Sequence, residues 1–266
     1  MDSSSADNLL YHEIHTNPKS GEWLLMIHGA GGSTRTWKRQ IEELSSHFNL
    51  LIIDLPGHGQ SANMKDPEPE YTFDSISKTI WKVVDHHNID KVHVLGVSLG
   101  AIIALNIETQ FADRIKSLVL AGPIVQLNLK LKIIASLSLT SAKVIGYHSF
   151  YKIAARIVMP RQNHKTSRGV FIRESKFLTV DEFKKWTGLY KNLNATLLYL
   201  FSAATDIPRL LLVGDQDHLF LKPAQAYSKT MPHSVIEIVP KCGHVVNIER
   251  ADAFNESCVR FVKKMV

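Results

Sequence analysis

Cysteine is nearly absent from this chain of 266 residues, with only Cys242 and Cys258 present. Two thiols cannot build a disulfide framework, and nothing in their spacing suits zinc, so a reducing cytoplasm is the expected setting and no metal or cofactor is expected. Long apolar runs are missing too. The longest uncharged apolar stretch in the middle, 133–142, falls far short of the roughly 20 residues needed to span a bilayer, which argues against an integral membrane protein. The opening MDSSSADNLL carries two Asp, no Lys or Arg and no apolar run behind it. It does not read as a secretory signal, and its first seven residues read as a frayed tail. The net charge is +6, but the basic residues are scattered and do not alternate with aromatics in a stripe. Nucleic acid is therefore not an expected partner.

What is present is enough to bury one large core: 45% of the residues are hydrophobic and 21% charged. Short apolar runs ending in Gly or Asp recur between stretches of helical periodicity, the pattern of buried parallel strands joined by helical crossovers. Strands are predicted at 23–27, 50–54, 92–96, 117–121, 209–213 and 235–239. Helices are predicted at 36–48, where Trp37, Ile41, Leu44 and Phe48 share a face, and at 73–84 and 251–262. The alternation implies a sheet with helices on both sides. Between Gly122 and Pro208 it stops, over an interval too long for an ordinary connection. This interval reads as amphipathic helices forming a cap, which divides the chain into a core of 1–122 with 206–266 and a helical cap of 123–205.

The motif with most chemical content is Gly96-Val97-Ser98-Leu99-Gly100, a G-x-S-x-G pentapeptide. Its context is that of a nucleophile elbow, with the strand-like VHVLG before it and the helical LGAIIALNIETQF after it. A turn that sharp leaves little room two residues to either side of the serine, a steric demand that glycine meets. A serine hydroxyl needs a base, and the base needs an orienting group. LLLVGDQDHLF supplies Asp215 and Asp217 after one strand, and VPKCGHVVNIE supplies His244 after the next, on the sheet edge where such folds bind ligands. Both aspartates qualify on position. The other histidines, His12, His15, His86 and His87 among them, read as solvated or packing residues. A developing oxyanion needs two backbone donors, assigned to Leu99 and to Ala30 in the glycine-rich turn His28-Gly29-Ala30-Gly31-Gly32.

With HGAGGS, DLPGHGQS at 54–61, GVSLG, GDQD and CGHVVNIE in this order, the chain resembles the α/β-hydrolase superfamily, specifically its serine-nucleophile esterase branch with a cap. The resemblance covers essentially the whole chain outside the cap. It implies an α/β-hydrolase fold, a mostly parallel sheet flanked by helices, with the cap inserted before the strand that carries the acid. It also implies that the acid stands three residues after the glycine ending its strand, which selects Asp217 over Asp215. Two positions depart from the family pattern: His218 stands where Pro is frequent, and Ala251 replaces a common Pro.

The expected activity is hydrolysis of a carboxylic ester-like bond, whether ester, lactone or thioester, in a small, largely apolar substrate. A carbon–carbon hydrolase or a cofactor-free perhydrolase on the same fold is an alternative. The resemblance gives carbon–carbon hydrolases an aromatic residue after the His, where Val245 stands here. A small-molecule sensor retaining the triad is a third reading. The cap is rich in Leu127, Leu129, Leu131, Ile133, Ile134, Leu137 and Leu139, then in Phe150, Tyr151, Phe177, Trp186, Tyr190, Tyr199 and Phe201. Most of these are expected to glue cap to core and to leave an apolar pocket above Ser98. Arg156, Arg161, Arg168 and Arg173 offer an alternative, reception of an anionic substrate.

Overall fold

Residues 9–64, 70–127, 146–202 and 205–266 are described by the computed structural model of the chain. The expected frayed tail and the apolar positions Leu129, Leu131, Ile133, Ile134, Leu137 and Leu139 lie outside the described residues. In chain order the main elements are β1 (His12–His15), β2 (Trp23–Ile27), α1 (Lys38–Ser45), β3 (Asn49–Ile53), α2 (Phe73–His86), β4 (Val92–Val97), α3 (Leu99–Phe111) and β5 (Ile115–Ala121). Four helices follow before the next strand: α4 (Tyr147–Val158), α5 (Lys165–Glu174), α6 (Val180–Gly188) and α7 (Leu193–Ser202). The chain then returns to the sheet through β6 (Arg209–Gly214), α8 (Leu221–Thr230), β7 (Ser234–Val239), α9 (Val246–Glu249) and α10 (Ala251–Lys263).

The seven strands form one sheet in the order β1-β3-β2-β4-β5-β6-β7, with β1 antiparallel to β3 and every other pair parallel. The six parallel strands are those predicted, within two residues at each end. Strand β1 was not predicted. Its sequence HEIH lacks an apolar run, and it lies half-buried at the edge, where one neighbour suffices.

Alternate residues of the central strands go to opposite layers. Leu25, Ile27, Leu51 and Ile53 pack with α2 and α3 on one face, whereas Leu24, Met26, Leu50 and Ile52 pack with Trp37, Leu44, Phe254 and Val262 on the other. Helix α2 starts with a reciprocal capping box between Thr72 and Ser75, which satisfies two backbone donors at its first turn. The predicted 36–48 helix is shorter than expected. Thr34–Trp37 form a tight 3-10 turn first, and the Thr34 N–H is tied to Asp54 Oδ1 at 2.5 Å. His12 and His87, read as packing residues, meet through their Nε2 atoms at 2.8 Å.

Helix α3 is buried along ten successive residues, Leu99 to Glu108, because it lies between the sheet and other helices. That burial carries a charge with it. Glu108 Oε1 accepts a hydrogen bond from Arg209 at 2.7 Å, and both side chains are almost wholly enclosed. Thr205 and Tyr227 add hydrogen bonds to the pair, and the Arg209 Nε–H is left without a partner among the described residues. Removing one partner strands the other, so Glu108→Ala is expected to lower the unfolding free energy by about 3–5 kcal/mol. Glu108→Leu combined with Arg209→Met should recover much of that loss, as read from denaturant titrations of both variants.

Candidate active site

Between β4 and α3 the chain reverses over a single residue. Ser98 has φ 55° and ψ −110°, a conformation rare for a residue with a side chain. The turn is tight enough that a β-carbon on Gly96 would meet the Gly100 carbonyl oxygen at 2.3 Å, and one on Gly100 would meet the Ile27 oxygen at 2.3 Å. Glycine at both positions is therefore a steric requirement, as the pentapeptide implied. The turn is held by the Ser98 N–H, which donates to the Ala121 oxygen at 2.9 Å.

The structure brings Ser98, His244 and Asp217 into one line. Ser98 Oγ lies 2.9 Å from His244 Nε2, and His244 Nδ1 lies 2.8 Å from Asp217 Oδ2. Asp217 is fully buried. Burial pushes its carboxyl pKa up, but the adjacent His244 and the backbone N–H groups of Phe220 and Leu219 outweigh this and hold it below the usual carboxylate range. Asp215 is exposed and turned away from His244; its Oδ1 accepts the Cys242 N–H at 3.1 Å. His218 and Ala251, the two departures from the family pattern, make no hydrogen bond to any of the three aligned side chains.

The two assigned backbone donors are left free by their surroundings. Leu99 opens α3, so its N–H has no intrahelical partner. In the 28–32 turn, the Gly32 N–H donates to the Gly29 oxygen and the Gly31 N–H donates to His58 Nε2. The Ala30 N–H makes no hydrogen bond among the described residues.

Above Ser98 lies a cavity of about 230 Å³, enclosed by the elbow, the 28–32 turn and helices α4 to α7. Phe150, Tyr151, Trp186 and Tyr190 line it. Phe177 and Tyr199 are instead largely exposed, and Phe201 packs on Tyr227. None of Arg156, Arg161, Arg168 and Arg173 lines the cavity. Arg168 donates to the Met159 and Arg161 oxygens, and Arg173 pairs with Glu174, so these arginines do not offer an anion site there.

A family model described as the alpha/beta hydrolase fold matches residues 22–145. In structure, the chain superposes on the enol-lactonase of Burkholderia xenovorans with a TM-score of 0.80 over 96% of both chains, at 20% identity. The chain has the α/β-hydrolase fold. Among curated proteins it is 24% identical over 266 residues to an uncharacterized carboxylesterase of Bacillus subtilis, covering 94% of this chain and 82% of that one. It is also 25% identical over 258 residues to the dihydrolipoyllysine-residue acetyltransferase component of the acetoin cleaving system of Pseudomonas putida. That match covers 92% of this chain and 65% of the relative's length. No helix among the described residues is long and apolar enough to cross a membrane. No cluster of His, Cys, Asp or Glu suited to a metal ion occurs among them.

Within this α/β-hydrolase fold the 28–32 turn is shaped by two histidines to which the sequence reading gave no role. His28 donates from Nδ1 to the Gly29 oxygen and accepts the Leu55 N–H at Nε2; His58 donates from Nδ1 to the Pro56 oxygen and accepts the Gly31 N–H. Both imidazoles are neutral in this arrangement, since each ring uses one nitrogen as acceptor. The available signal was their place in the HGAGGS and DLPGHGQS motifs. The inserted helices dock on the same loops. Glu174 of α5 accepts from Ser33 and Arg35, and the Trp186 indole of α6 donates to the Pro56 oxygen.

Burial is the main cause that lowers the pKa of His28 to about 4, and burial then the neighbouring His28 lower that of His58 to about 3, both from an ordinary value of 6.5. The unfolded chain therefore takes up protons between pH 6.5 and these values while the folded chain does not. The resulting stability is fully present above pH 6.5 and declines as pH falls, by at most about 1.4 kcal/mol per histidine per pH unit. Denaturant unfolding of His58→Gln between pH 7 and pH 4.5 should show a shallower decline than the parent chain.

Proposed function

We propose that this chain of α/β-hydrolase fold is a serine hydrolase, cleaving a carboxylic ester-like bond of a small, largely apolar substrate through an acyl-enzyme. The observation that carries this reading is the continuous hydrogen-bonded line Ser98–His244–Asp217 at the floor of an apolar cavity, with two free backbone donors beside it. A carboxylesterase and an enol-lactonase among the similar proteins support an ester or lactone as the bond attacked.

The chemistry follows from the geometry. Ser98 Oγ attacks the carbonyl carbon as its proton passes to His244 Nε2. The Asp217 carboxylate accepts from Nδ1, holding the tautomer that leaves Nε2 free and stabilising the imidazolium that forms. The Ala30 and Leu99 N–H groups receive the oxyanion, each worth roughly 3–4 kcal/mol of barrier when aimed at it. His244 returns the proton to the leaving alkoxide, and water then attacks the acyl-enzyme by the same route in reverse. The helices of 123–205 act as a cap, excluding bulk water and shaping the cavity. Val245, directly after His244 on the cavity wall, is aliphatic and gives no support to carbon–carbon cleavage.

A fluorophosphonate probe should label Ser98, and Ser98→Ala should abolish labelling; retention of label in that variant assigns the nucleophile elsewhere. Turnover of a chromogenic short-chain ester many times per site separates an enzyme from a sensor, which would stop near one. Asp217→Asn, folded, should lose roughly a thousandfold or more in kcat, because the imidazole is left in the wrong tautomer. Asp215→Asn should lose far less, and the opposite ranking would transfer the role. Across neutral acyl esters, kcat/KM should rise with chain length until the cavity is full, since each buried methylene contributes about 0.8 kcal/mol.

A further inference from the structure

The cavity wall is apolar, but it is not free of hydroxyl groups, and they fall into two classes. Those of Thr36, Ser167 and Thr187 have their protons committed, to the oxygens of Ser33, of His164 and Glu249, and of Phe183. The Trp186 indole N–H is committed to the Pro56 oxygen. Tyr151 and Tyr190 differ. Both line the cavity, and neither phenol makes a hydrogen bond to any described residue, including the other.

Tyr151 is only 8% exposed, and its unpartnered hydroxyl is not fully buried but opens into the cavity it lines. A hydroxyl so placed is free to donate to water or to an oxygen of a bound ligand, and a ligand that covers it without supplying an acceptor forfeits that bond. Its place relative to the reacting centre is also fixed. A β-carbon built on Gly31 would sit 3.3 Å from Tyr151 Cε1, the ring carbon next to the one bearing the hydroxyl. The phenol edge therefore overhangs the turn that carries the Ala30 N–H. Phe171 and Phe183 hold the ring from the sides, with centroids 5.3 and 5.8 Å away. Burial, reinforced by the neighbouring Tyr190 and Tyr147, raises the pKa of Tyr151, and burial raises that of Tyr190, so both keep their protons to donate.

We infer that Tyr151 and Tyr190 are specificity-determining donors for a second, neutral oxygen of the substrate, a carbonyl above all, set apart from the bond that is cleaved. A neutral acceptor fits because, among the described residues, no Asp, Glu, Lys or Arg lines the cavity to supply a counter-charge for a buried carboxylate. The substrate class is thus an oxo-substituted acyl ester or lactone rather than a plain fatty ester or a dicarboxylate half-ester. The kinetic form of this inference rests on the serine hydrolase reading above; its binding form does not.

The test uses p-nitrophenyl esters of keto acids with the ketone moved along the acyl chain, each beside its alkyl parent of equal length and beside the matching half-ester with a free carboxylate. At one ketone position the keto-to-alkyl ratio of kcat/KM, corrected for alkaline reactivity, should exceed that in Tyr151→Phe by roughly tenfold, the value of one buried hydrogen bond. Tyr190→Phe should reduce the ratio severalfold. The same pairs titrated by calorimetry into Ser98→Ala should show the same preference in Kd, lost in Ser98→Ala/Tyr151→Phe. A ratio unchanged by both phenylalanine substitutions at every ketone position, or a preference for the carboxylate ester, overturns the inference. If the parent chain turns over no ester, the hydrolase reading fails, and the calorimetric preference alone decides the role of the tyrosines.

Discussion

Ser98 holds its left-handed backbone because two glycines allow the strand before it and the helix after it to pass within contact of each other and of β2. Such a conformation costs on the order of 1–3 kcal/mol and persists only where its surroundings overdetermine it. Here they do: the Ser98 N–H is anchored on β5, and α3 is enclosed along most of its length. The turn sets the hydroxyl above the sheet edge and opens the first N–H groups of α3 towards the same point. His244 and Asp217 reach that point only because β6 and β7 end beside β5 on the same edge.

The turn after β2 is the other half of this arrangement, and its control is distributed. Two neutral imidazoles fix its backbone, Glu174 engages its flank through Ser33 and Arg35, and Trp186 engages Pro56 on the neighbouring loop after β3. Buried imidazoles that use both nitrogens have only one compatible tautomer each. The orientation of the Ala30 N–H therefore depends on residues as distant in sequence as Leu55 and Pro56.

The sheet was legible from sequence because its parallel strands are buried on both faces and must be continuously apolar. The elbow was legible because its steric demand falls on two glycines at fixed spacing. The choice of Asp217 over Asp215 came from family likeness; in the structure the Asp217 carboxylate lies against His244 while Asp215 accepts the Cys242 N–H. What sequence could not disclose was which apolar side chains of the inserted helices face the cavity. Phe177 and Tyr199 point outward and Tyr151 and Tyr190 inward, although all four lie in the same aromatic-rich interval of the sequence. A helix pattern reports that a face is apolar and leaves open whether a core or a ligand fills it. Strand β1 escaped notice for the opposite reason, since an edge strand needs no apolar run.

The joints between the inserted helices and the sheet are not greasy contacts alone. Glu174 and Glu249 are each about 2% exposed, and each accepts hydrogen bonds across the joint, Glu174 from Ser33 and Arg35, and Glu249 from Ser167 on one side and the Gly243 N–H on the other. Separating the layers would leave Glu174 without Ser33 and Arg35 and would take Ser167 from Glu249, the carboxylate that also holds the backbone next to His244. The inserted helices thus share a carboxylate with the backbone beside His244, and a protease that nicks α5 is expected to disturb a sheet edge it never touches.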